Sequence, residues 1–344
     1  MLLQEDDFSL EFHTVSIPGS IADNPLSSDA VGSNGYVLQE RIIVPPHLSG
    51  EAAVFSARTV APMRCNAPLI FVGHPDLPVQ CSSVIARPKK GKSEAEKYDA
   101  AIKITSEGMR LLFSAPIFST AGTSRGFLTA FDGISEVLSA CRMKESAIVR
   151  TWLFMEDTLR DYELLNRARE RFYKKWFSSP DHIIPASTGI QGHIIGSPVL
   201  SVDFCAFSGE RLSIRQQFSP LQNEPTDYGK LFSRAVVVRF PNNALVFISG
   251  TAPIDRTGAS VHIGNFERQM VHTLEALYAI LRDAGGNFSS VVQAVVYLKS
   301  SKDMDSCTRI LADAGFPRSR ALFQLGVDIC RDDLLCEVEV TAVI

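Results

Sequence analysis

The two halves of this 344-residue chain share one order of predicted elements, and this internal repeat restricts the possible folds most strongly. In the second half, residues Phe266–Ala284 carry leucine or methionine at positions 270, 274, 277 and 281, which is helical spacing, and Gly285 follows. Apolar and β-branched runs on both sides predict strands. The predicted order is β-α-β-α-β-β, over Leu245–Gly250, Phe266–Ala284, Val291–Leu298, Met304–Ala314, Arg320–Val327 and Leu334–Ile344.

The first half follows much of the same order. Its predicted strands and helices are Leu111–Ser114, Gly126–Cys141, Ala147–Met155, Asp161–Phe177 and Ser201–Phe207. Repeated units in which helices cover one face of a sheet predict an α+β fold with two tandem copies. We place an N-terminal domain with extra strands at residues 1–208, and a C-terminal domain that carries most of the functional site at residues 209–344.

Three segments lie outside the repeat. Ala53–Val60 is predicted as one of the extra strands, and Arg87–Lys97 as a solvated loop. The polar stretch Ser208–Asp227 contains two prolines, and it is interpreted either as a linker or as a loop folded over the site.

Charge and cysteine content exclude several classes of protein. The formal net charge is −4, without the basic surplus that nucleic-acid binding usually requires. The seven cysteines contain no CxxC pair, which argues against a disulfide framework or a zinc ribbon. The chain has no apolar run of about 18 residues, so we expect no membrane span. Its start is acidic, so we expect no signal peptide and a cytoplasmic location.

Three charged residues stand in strand patterns that are otherwise largely apolar. In the last strand, alternation places Glu337 and Glu339 on one face and apolar residues on the other. Burial of such a carboxyl group disfavours its charged form, so either glutamate is a candidate general acid. Arg150 interrupts the strand AIVRTWLF, where an unpaired cation would be costly, so it faces either solvent or a cleft.

The second half resembles the RidA/YjgF family. The resemblance rests on FISGTAP (residues 247–253), the helix start HIGNFERQM (262–270), AVVYLKS (294–300) and EVEVTAV (337–343). It covers about residues 245–344, and more weakly 110–207. It implies a RidA/YjgF-like (chorismate-mutase-like) fold, and sites at subunit interfaces of trimers, so a homo-oligomer is expected.

Further segments resemble the chorismatases, a two-domain subgroup of that family. They are VRTWLFM (149–155), IPASTGIQG (184–192), YGKLFSRA (228–235) and ICRDDLLCEVE (329–339). The resemblance implies a cofactor-independent enzyme that removes pyruvate from chorismate and forms 3- or 4-hydroxybenzoate. No metal or cofactor is expected.

The same resemblance assigns roles to individual residues. It makes Glu337 the catalytic acid and Cys330 a residue close to the substrate. Arg320, or its neighbour Arg318, is the expected carboxylate clamp, because arginine binds carboxylates bidentately. The remaining expected substrate contacts are Arg150, Ser249, Gly250, Thr251, Tyr228 and Lys230.

Two other functions fit the same fold. A RidA-type imine or enamine deaminase would use the same arginine and the C-terminal domain. A small-molecule binder without catalytic activity is the third hypothesis, because a fold does not determine a function.

Overall fold

The first sheet belongs to a part of the chain where only extra strands were expected. The computed structural model describes residues 2–17, 35–50, 69–176 and 182–344. The strands of the first sheet are β1 (Leu2–Gln4), β2 (Phe8–Ile17), β3 (Tyr36–Val44), β4 (Leu69–Val72) and β5 (Val79–Pro88). They lie in the order β1-β2-β5-β3-β4, and only the β3–β4 pair is parallel.

The second sheet lies in the order β11-β10-β12-β8-β7-β6, with the short β9 beside β12. Its strands are β6 (Ser93–Tyr98), β7 (Ala101–Ser106), β8 (Met109–Ser114), β9 (Ile117–Ser119), β10 (Ile148–Met155), β11 (Ala186–Gln191) and β12 (Leu200–Ser208). Two helices, α1 (Ser124–Ala140) and α2 (Thr158–Lys174), pack on it through an apolar cluster that includes Phe131 and Phe172.

The third sheet has the order β13-β14-β15-β18-β16-β17. Its strands are β13 (Ser213–Gln217), β14 (Ala235–Arg239), β15 (Ala244–Thr251), β16 (Val291–Leu298), β17 (Ala321–Leu325) and β18 (Cys336–Val343). Helices α3 (Phe266–Ala284) and α4 (Met304–Asp313) cover it. Short 3₁₀ turns occur at Pro46–Leu48, Glu145–Ala147, Pro225–Tyr228, Phe288–Ser290, Ser301–Asp303 and Arg318–Arg320.

The two predicted copies are confirmed strand by strand, because β6-β7-β8-β12-β10-β11 has the same order as β13-β14-β15-β18-β16-β17. The first sheet adds a third set with this order, since β1-β2-β5-β3-β4 corresponds to β14-β15-β18-β16-β17. The chain therefore contains three related sheets. The domain boundary at residue 208 stays a prediction, as does the oligomer of several chains.

The amphipathic helix predicted in the second half is also confirmed. Its apolar positions Met270, Leu274, Leu277 and Leu281 are all buried against the third sheet. Asn265 caps its first turn, and Gly285 ends it with φ of 101°, a left-handed conformation that glycine adopts without strain. On β18, Cys336, Val338 and Val340 belong to this helix-side core, so the two glutamates face the opposite side, as alternation predicts.

A separate apolar core lies where the three sheets meet. It contains Phe12 of the first sheet, Trp152 and Phe207 of the second, and Phe247 and Tyr297 of the third. The rings of Trp152 and Phe247 make an edge-to-face contact across two sheets, with centroids 6.4 Å apart. This shared core fixes the sheets relative to one another, so the walls between them are well-defined surfaces.

Two predictions about loops were wrong. Arg87–Lys97 is solvent-exposed for most of its length, but it is not a loop. It comprises the end of β5, a short turn and most of the edge strand β6. Ser208–Asp227 includes β13, which pairs with β14, so the linker interpretation of this segment is wrong. Its alternative, a loop folded over the site, stays a prediction; Gln222 of the segment donates to the carbonyls of Ala252 and Ile254, which line the cavity described below. Both errors have one cause, since exposed edge strands carry polar side chains. The predicted strand Ala53–Val60 lies outside the described residues.

Within the described ranges, none of the helices has the length and apolar character needed to cross a membrane.

Candidate active site

A cavity of about 200 Å³ lies between the second and third sheets. Helix α2 and strand β11 form one wall, and β15, β18 and the segment before β18 form the other. The residues with reactive or charged groups that line it are Tyr162, Glu163, Arg169, Ser187, Tyr228, Lys230, Arg234, Cys330, Arg331 and Glu337. Of the two carboxyl groups, that of Glu163 is exposed and pairs with Lys230, whereas that of Glu337 is buried. The cavity thus combines a buried carboxyl group with several cations, which suits an anionic ligand and proton transfer.

Glu337 is the buried acidic group of this cavity. Burial and the nearby Glu339 carboxylate raise the pKa of Glu337 to about 8, while Arg150 and Arg234 act in the opposite direction. In the part of the chain that the structure describes, no side chain is within hydrogen-bond distance of its carboxyl group. A protonated carboxyl group with a free O–H is what a general acid at neutral pH requires.

Gly250 allows the Glu337 carboxyl group to lie directly against the backbone of β15. A Cβ atom at position 250 would be 1.9 Å from Glu337 Oε1 and 2.8 Å from its Cδ. The pairing of β15 with β18 shifts register between Ile248 and Thr251, so Gly250 lies in a bulge. Bulges redirect side chains at such sites. Gly250 therefore lines the cavity, where its predicted contact with substrate stays a prediction, and the close contact that it permits is to the acid of the cavity wall.

The neighbours of Gly250 have structural contacts. Ser249 Oγ accepts a hydrogen bond from the Ser187 backbone N–H at 2.8 Å and donates to the Ser233 carbonyl at 2.5 Å. Thr251 Oγ1 donates to the Ser249 carbonyl. Neither Ser249 nor Thr251 lines the cavity. Both lie behind its wall, whereas a direct contact with substrate would require them to face the cavity.

Glu339, the competing candidate for the acid, has a different environment. Its carboxylate accepts hydrogen bonds from Arg41 Nη1 at 3.2 Å, Arg150 Nη2 at 2.8 Å and Trp152 Nε1 at 3.2 Å. It does not line the cavity of Glu337. The oxygens of Glu339 are occupied by these three donors, so of the two glutamates only Glu337 presents its carboxyl group to the cavity.

Arg150 is buried rather than exposed to the cavity. Its Nη2 donates to Thr188 Oγ1 at 2.5 Å as well as to Glu339. The sequence left open whether Arg150 faces solvent or a cleft. It faces neither, because it is buried inside the protein, where its ion pair with Glu339 compensates the charge. Its predicted direct contact with substrate is corrected to a position behind the cavity wall.

The predicted arginine clamp is not in this cavity. Arg320 donates to the backbone carbonyls of Ser289 and Val291. Arg318 lines a separate groove between the third and first sheets, together with Thr14 and Gln80. The structure therefore does not bring either arginine together with Glu337, and this corrects the expectation that they share one site.

Arg234 and Arg169 are the buried cations of the cavity, and sequence reasoning missed both as site residues. Arg234 Nε donates to the Asn223 carbonyl at 2.9 Å, and its Nη2 donates to Tyr228 Oη at 3.0 Å. The Arg169 guanidinium lies over the Phe232 ring, 5.0 Å from its centroid. A signal for Arg234 existed, because YGKLFSRA contains it and was among the segments that carry the family resemblance.

Tyr228 and Lys230, both predicted, do line the cavity. The 3₁₀ turn Pro225–Tyr228 ends at Gly229, whose φ of 77° reverses the chain and directs it back along the cavity. Lys230 Nζ donates to Glu163 Oε1 at 2.8 Å and lies 5.4 Å from the centroid of the Tyr162 ring. Arg331 completes this side, where its Nη1 donates to the Gly258 carbonyl at 2.7 Å.

Cys330 lines the cavity beside Tyr162, as the sequence predicts for a residue near the substrate. Burial, with the nearby Glu337, raises the pKa of the Cys330 thiol to about 12. The thiol is therefore protonated near neutral pH, which excludes a thiolate nucleophile and leaves a small, weakly polar contact.

Similarity to known proteins extends over the whole chain. Residues 223–344 match the family model described as endoribonuclease L-PSP. A 3-hydroxybenzoate synthase of Streptomyces hygroscopicus is 25% identical over 92% of this chain and 98% of its own length. The 3-aminoacrylate deaminase RutC of Acinetobacter baylyi is 30% identical over 95 residues, which are 27% of this chain and 75% of the relative.

Among solved structures, a crystal structure of a chorismatase superposes with a TM-score of 0.73 at 16% identity, covering 98% of this chain and all of the other. The expected resemblance is thus confirmed for the C-terminal unit by sequence and for the whole chain by fold. The chain belongs to the endoribonuclease L-PSP (RidA/YjgF) family, and it has the fold of a chorismatase.

Proposed function

We propose that the protein is a chorismatase that converts chorismate to 3-hydroxybenzoate and pyruvate. The observation that carries this proposal is the buried carboxyl group of Glu337, with a pKa raised to about 8, in a cavity that several cations line. Chorismate is a dianion with an enol ether, and release of pyruvate requires both charge neutralisation and a proton donor. The 3-hydroxybenzoate synthase that is similar along 92% of the chain supports the choice of product.

Binding of the two carboxylates is assigned to the arginines of the cavity. Arg234 and Glu337 line the same cavity, and the positive charge of Arg234 acts to lower the pKa of Glu337. We assign to Arg234 the carboxylate of the enolpyruvyl group, whose methylene carbon must face Glu337. The ring carboxylate then meets Arg169, Lys230 and Arg331. Arginine suits both positions because its planar fork forms paired hydrogen bonds with a carboxylate.

The chemical step begins with proton transfer from Glu337 to the methylene carbon of the enolpyruvyl group. The resulting oxocarbenium centre weakens the bond between ring C3 and the ether oxygen. The oxygen of the substrate's own 4-hydroxyl group attacks C3 as the bond between C3 and the ether oxygen breaks, and pyruvate leaves with the ether oxygen. The proton of the 4-hydroxyl group passes to the Glu337 carboxylate, which restores the acid. The epoxide then opens at C4 with loss of a ring proton, which forms 3-hydroxybenzoate. Atoms balance without addition of water.

Exclusion of water determines the product in this scheme. Attack by water at C3 would release a dihydroxycyclohexadiene acid, and direct elimination would give 4-hydroxybenzoate. The neutral Cys330 thiol and Tyr162 occupy one side of the cavity, so we assign them to cover the ring and keep solvent away.

The decisive experiment is incubation of the purified protein with chorismate, followed by chromatographic identification of the aromatic product. We expect 3-hydroxybenzoate and pyruvate in equal amounts. In water enriched in ¹⁸O, the hydroxybenzoate is expected to carry no solvent oxygen. Release of ammonia from 2-aminoacrylate without turnover of chorismate would instead show a deaminase. Tight binding of chorismate without pyruvate would show a binder without catalytic activity.

The pH dependence of pyruvate release tests the protonation state of the acid. Because the pKa of Glu337 is raised to about 8, the active protonated form predominates at pH 7 and is lost as the pH rises through 8. We therefore expect turnover at saturating chorismate to fall about tenfold per pH unit above that midpoint. A profile that rises from pH 6 to 9 would contradict an acid role for this group.

Substitution of Gly250 by alanine tests the position of the acid. The new Cβ would overlap the Glu337 carboxyl group, so that group must move. A displacement of about 1 Å costs up to about 100-fold in turnover, and we expect a loss of that order in kcat for pyruvate release. The matched control is Gly122→Ala, where a Cβ would meet only Val199 at 3.5 Å, outside the cavity. Equal activity of the two variants would contradict the proposed contact.

A further inference from the structure

A buried cluster of four charged residues joins the three sheets behind the cavity wall. Arg41 of the first sheet donates to Asp203 at 3.0 Å and to Glu339 at 3.2 Å. Arg150 of the second sheet donates to the other oxygen of Glu339 at 2.8 Å. All four side chains are buried, with exposed fractions of 9% or less. The cluster is electrically balanced, because two guanidinium groups face two carboxylates.

Two connections lead from this cluster to the acid. Glu339 is two residues from Glu337 on the same face of β18, so their side chains are neighbours along one strand. Arg150 also donates to Thr188 Oγ1, and the same oxygen accepts the Gly250 backbone N–H at 3.0 Å. The cluster therefore touches both the strand that carries Glu337 and the backbone against which its carboxyl group lies.

We propose that Glu339, held by Arg41 of the first sheet and Arg150 of the second, is a positioning residue that keeps Glu337 in its protonated form. This inference rests on the proposed function, since it explains how the acid of that reaction is maintained. An anion that is fixed and two residues away disfavours a second negative charge on Glu337. The two arginines hold both oxygens of Glu339 in place, so its distance from Glu337 is fixed.

The other groups that face Glu337 do not replace this effect. Cations favour the ionised form of Glu337: Arg169, Lys230, Arg234 and Arg331 line the cavity, and Arg150 lies behind its wall. The second carboxylate of the cavity, Glu163, is exposed and forms an ion pair with Lys230, so its charge is screened. The neutral groups stay protonated near pH 8, because burial raises the pKa of Tyr162, Tyr297 and the Cys330 thiol. Glu339 is therefore the buried carboxylate that opposes ionisation of Glu337.

The sign of the expected change follows from this charge balance. Glu339→Gln removes the anion and leaves the two guanidinium groups with one carboxylate. Both consequences favour the ionised form of Glu337, so its titration midpoint must move to lower pH. Asp203→Asn is the matched control, because it also replaces a buried carboxylate of the cluster by an amide. Asp203 lies beyond Arg41, outside the strand of Glu337.

The test is titration of the Glu337 carboxyl group by carbon NMR in protein labelled with ¹³C at glutamate side chains. The signal is assigned by its absence in Glu337→Gln. We expect Glu339→Gln to increase the ionisation constant of Glu337 at least about tenfold. The pH profile of pyruvate release should shift by the same amount, and Asp203→Asn should shift both several-fold less. An unchanged midpoint, or an equal shift in Asp203→Asn, would overturn the proposal.

A second variant covers the case in which Glu339→Gln does not fold. The pair Glu339→Gln with Arg150→Met removes a buried anion and a buried cation together, which proteins often tolerate. Its midpoint should lie below that of the wild type and above that of the single variant. The NMR titration needs no turnover, so it still decides the role of Glu339 if chorismate proves not to be the substrate.

Discussion

Replacement of Glu337 by glutamine is expected to lower pyruvate release from chorismate by roughly 100- to 10,000-fold, the usual contribution of a general acid. Glutamine has nearly the same shape, but its amide cannot transfer a proton to the methylene carbon. The loss should appear in kcat and leave chorismate affinity within a few-fold, because the arginines of the cavity remain. The measurement is pyruvate formation under single-turnover conditions, with chorismate binding followed separately by calorimetry.

The same variant should be more stable than the wild type at alkaline pH. The pKa of Glu337 is about 8 in the folded protein, compared with the ordinary value of 4.5 that applies to the unfolded chain. A raised pKa means that folding is unaffected below pH 4.5 and becomes progressively less favourable as the pH rises toward 8. At pH 8 the wild type bears a cost of about 4 kcal/mol that glutamine lacks. Denaturant unfolding at pH 8 and pH 4.5 measures this difference, which should be small at the lower pH.

Near wild-type turnover in Glu337→Gln would remove this residue from the mechanism. Loss of activity together with lower stability at every pH would instead indicate a structural role. The predicted pattern is the opposite one, with activity lost and stability gained. This combination is typical of a functional group held in an unfavourable environment for the reaction it serves.

Substitution of Arg234 by methionine is expected to reduce kcat/KM for chorismate by about 100-fold, since a charged hydrogen bond to a substrate carboxylate contributes about 1.5–3 kcal/mol. The main loss should be in KM, because the arginine binds the same carboxylate before and during the reaction. Methionine keeps most of the aliphatic volume, so the packing beside Phe232 and Tyr228 is retained. Steady-state kinetics with chorismate measure both parameters.

Arg256→Met is the matched control for this prediction. Arg256 is an exposed arginine that donates to the Pro220 carbonyl and does not line the cavity. The variant removes the same charge from a segment that follows β15, and its kinetics should stay within about twofold of the wild type. If the two variants behave alike, the carboxylate contact assigned to Arg234 is wrong. Tyr228→Phe, which removes only the hydroxyl partner of Arg234, should give an intermediate effect.

The helices and central strands of the two later sheets were predictable because their periodicity is local, whereas the polar edge strands β6 and β13 were missed. The apolar residues of helix α3 and strand β18 recur at regular spacing over a short stretch of sequence. Leu274 and Val338 could therefore be assigned to the buried face from this spacing alone. The first sheet was not recognised as a third copy. Its pairing brings β2 beside β5, and Phe8 beside Pro88, which local pattern cannot show.

The site was predictable only in part, for a similar reason. Glu337, Cys330, Tyr228 and Lys230 do line the cavity. Each unit in an arrangement of three sheets contributes walls to two different clefts, and sequence spacing does not say which cleft a residue faces. Arg318 is on the wall that faces the first sheet, whereas Arg234 is on the wall that faces the second.

The covalent connection of the three sheets has a consequence for symmetry. In a ring of identical subunits, every substitution appears in all three clefts at once. In this chain each cleft has its own residues and can diverge separately. The groove beside Arg318 has no carboxylate among its described lining residues, whereas the cavity of Glu337 has both acid and cations. One chain should therefore bind one equivalent of substrate, and the other junctions are free to serve stability alone.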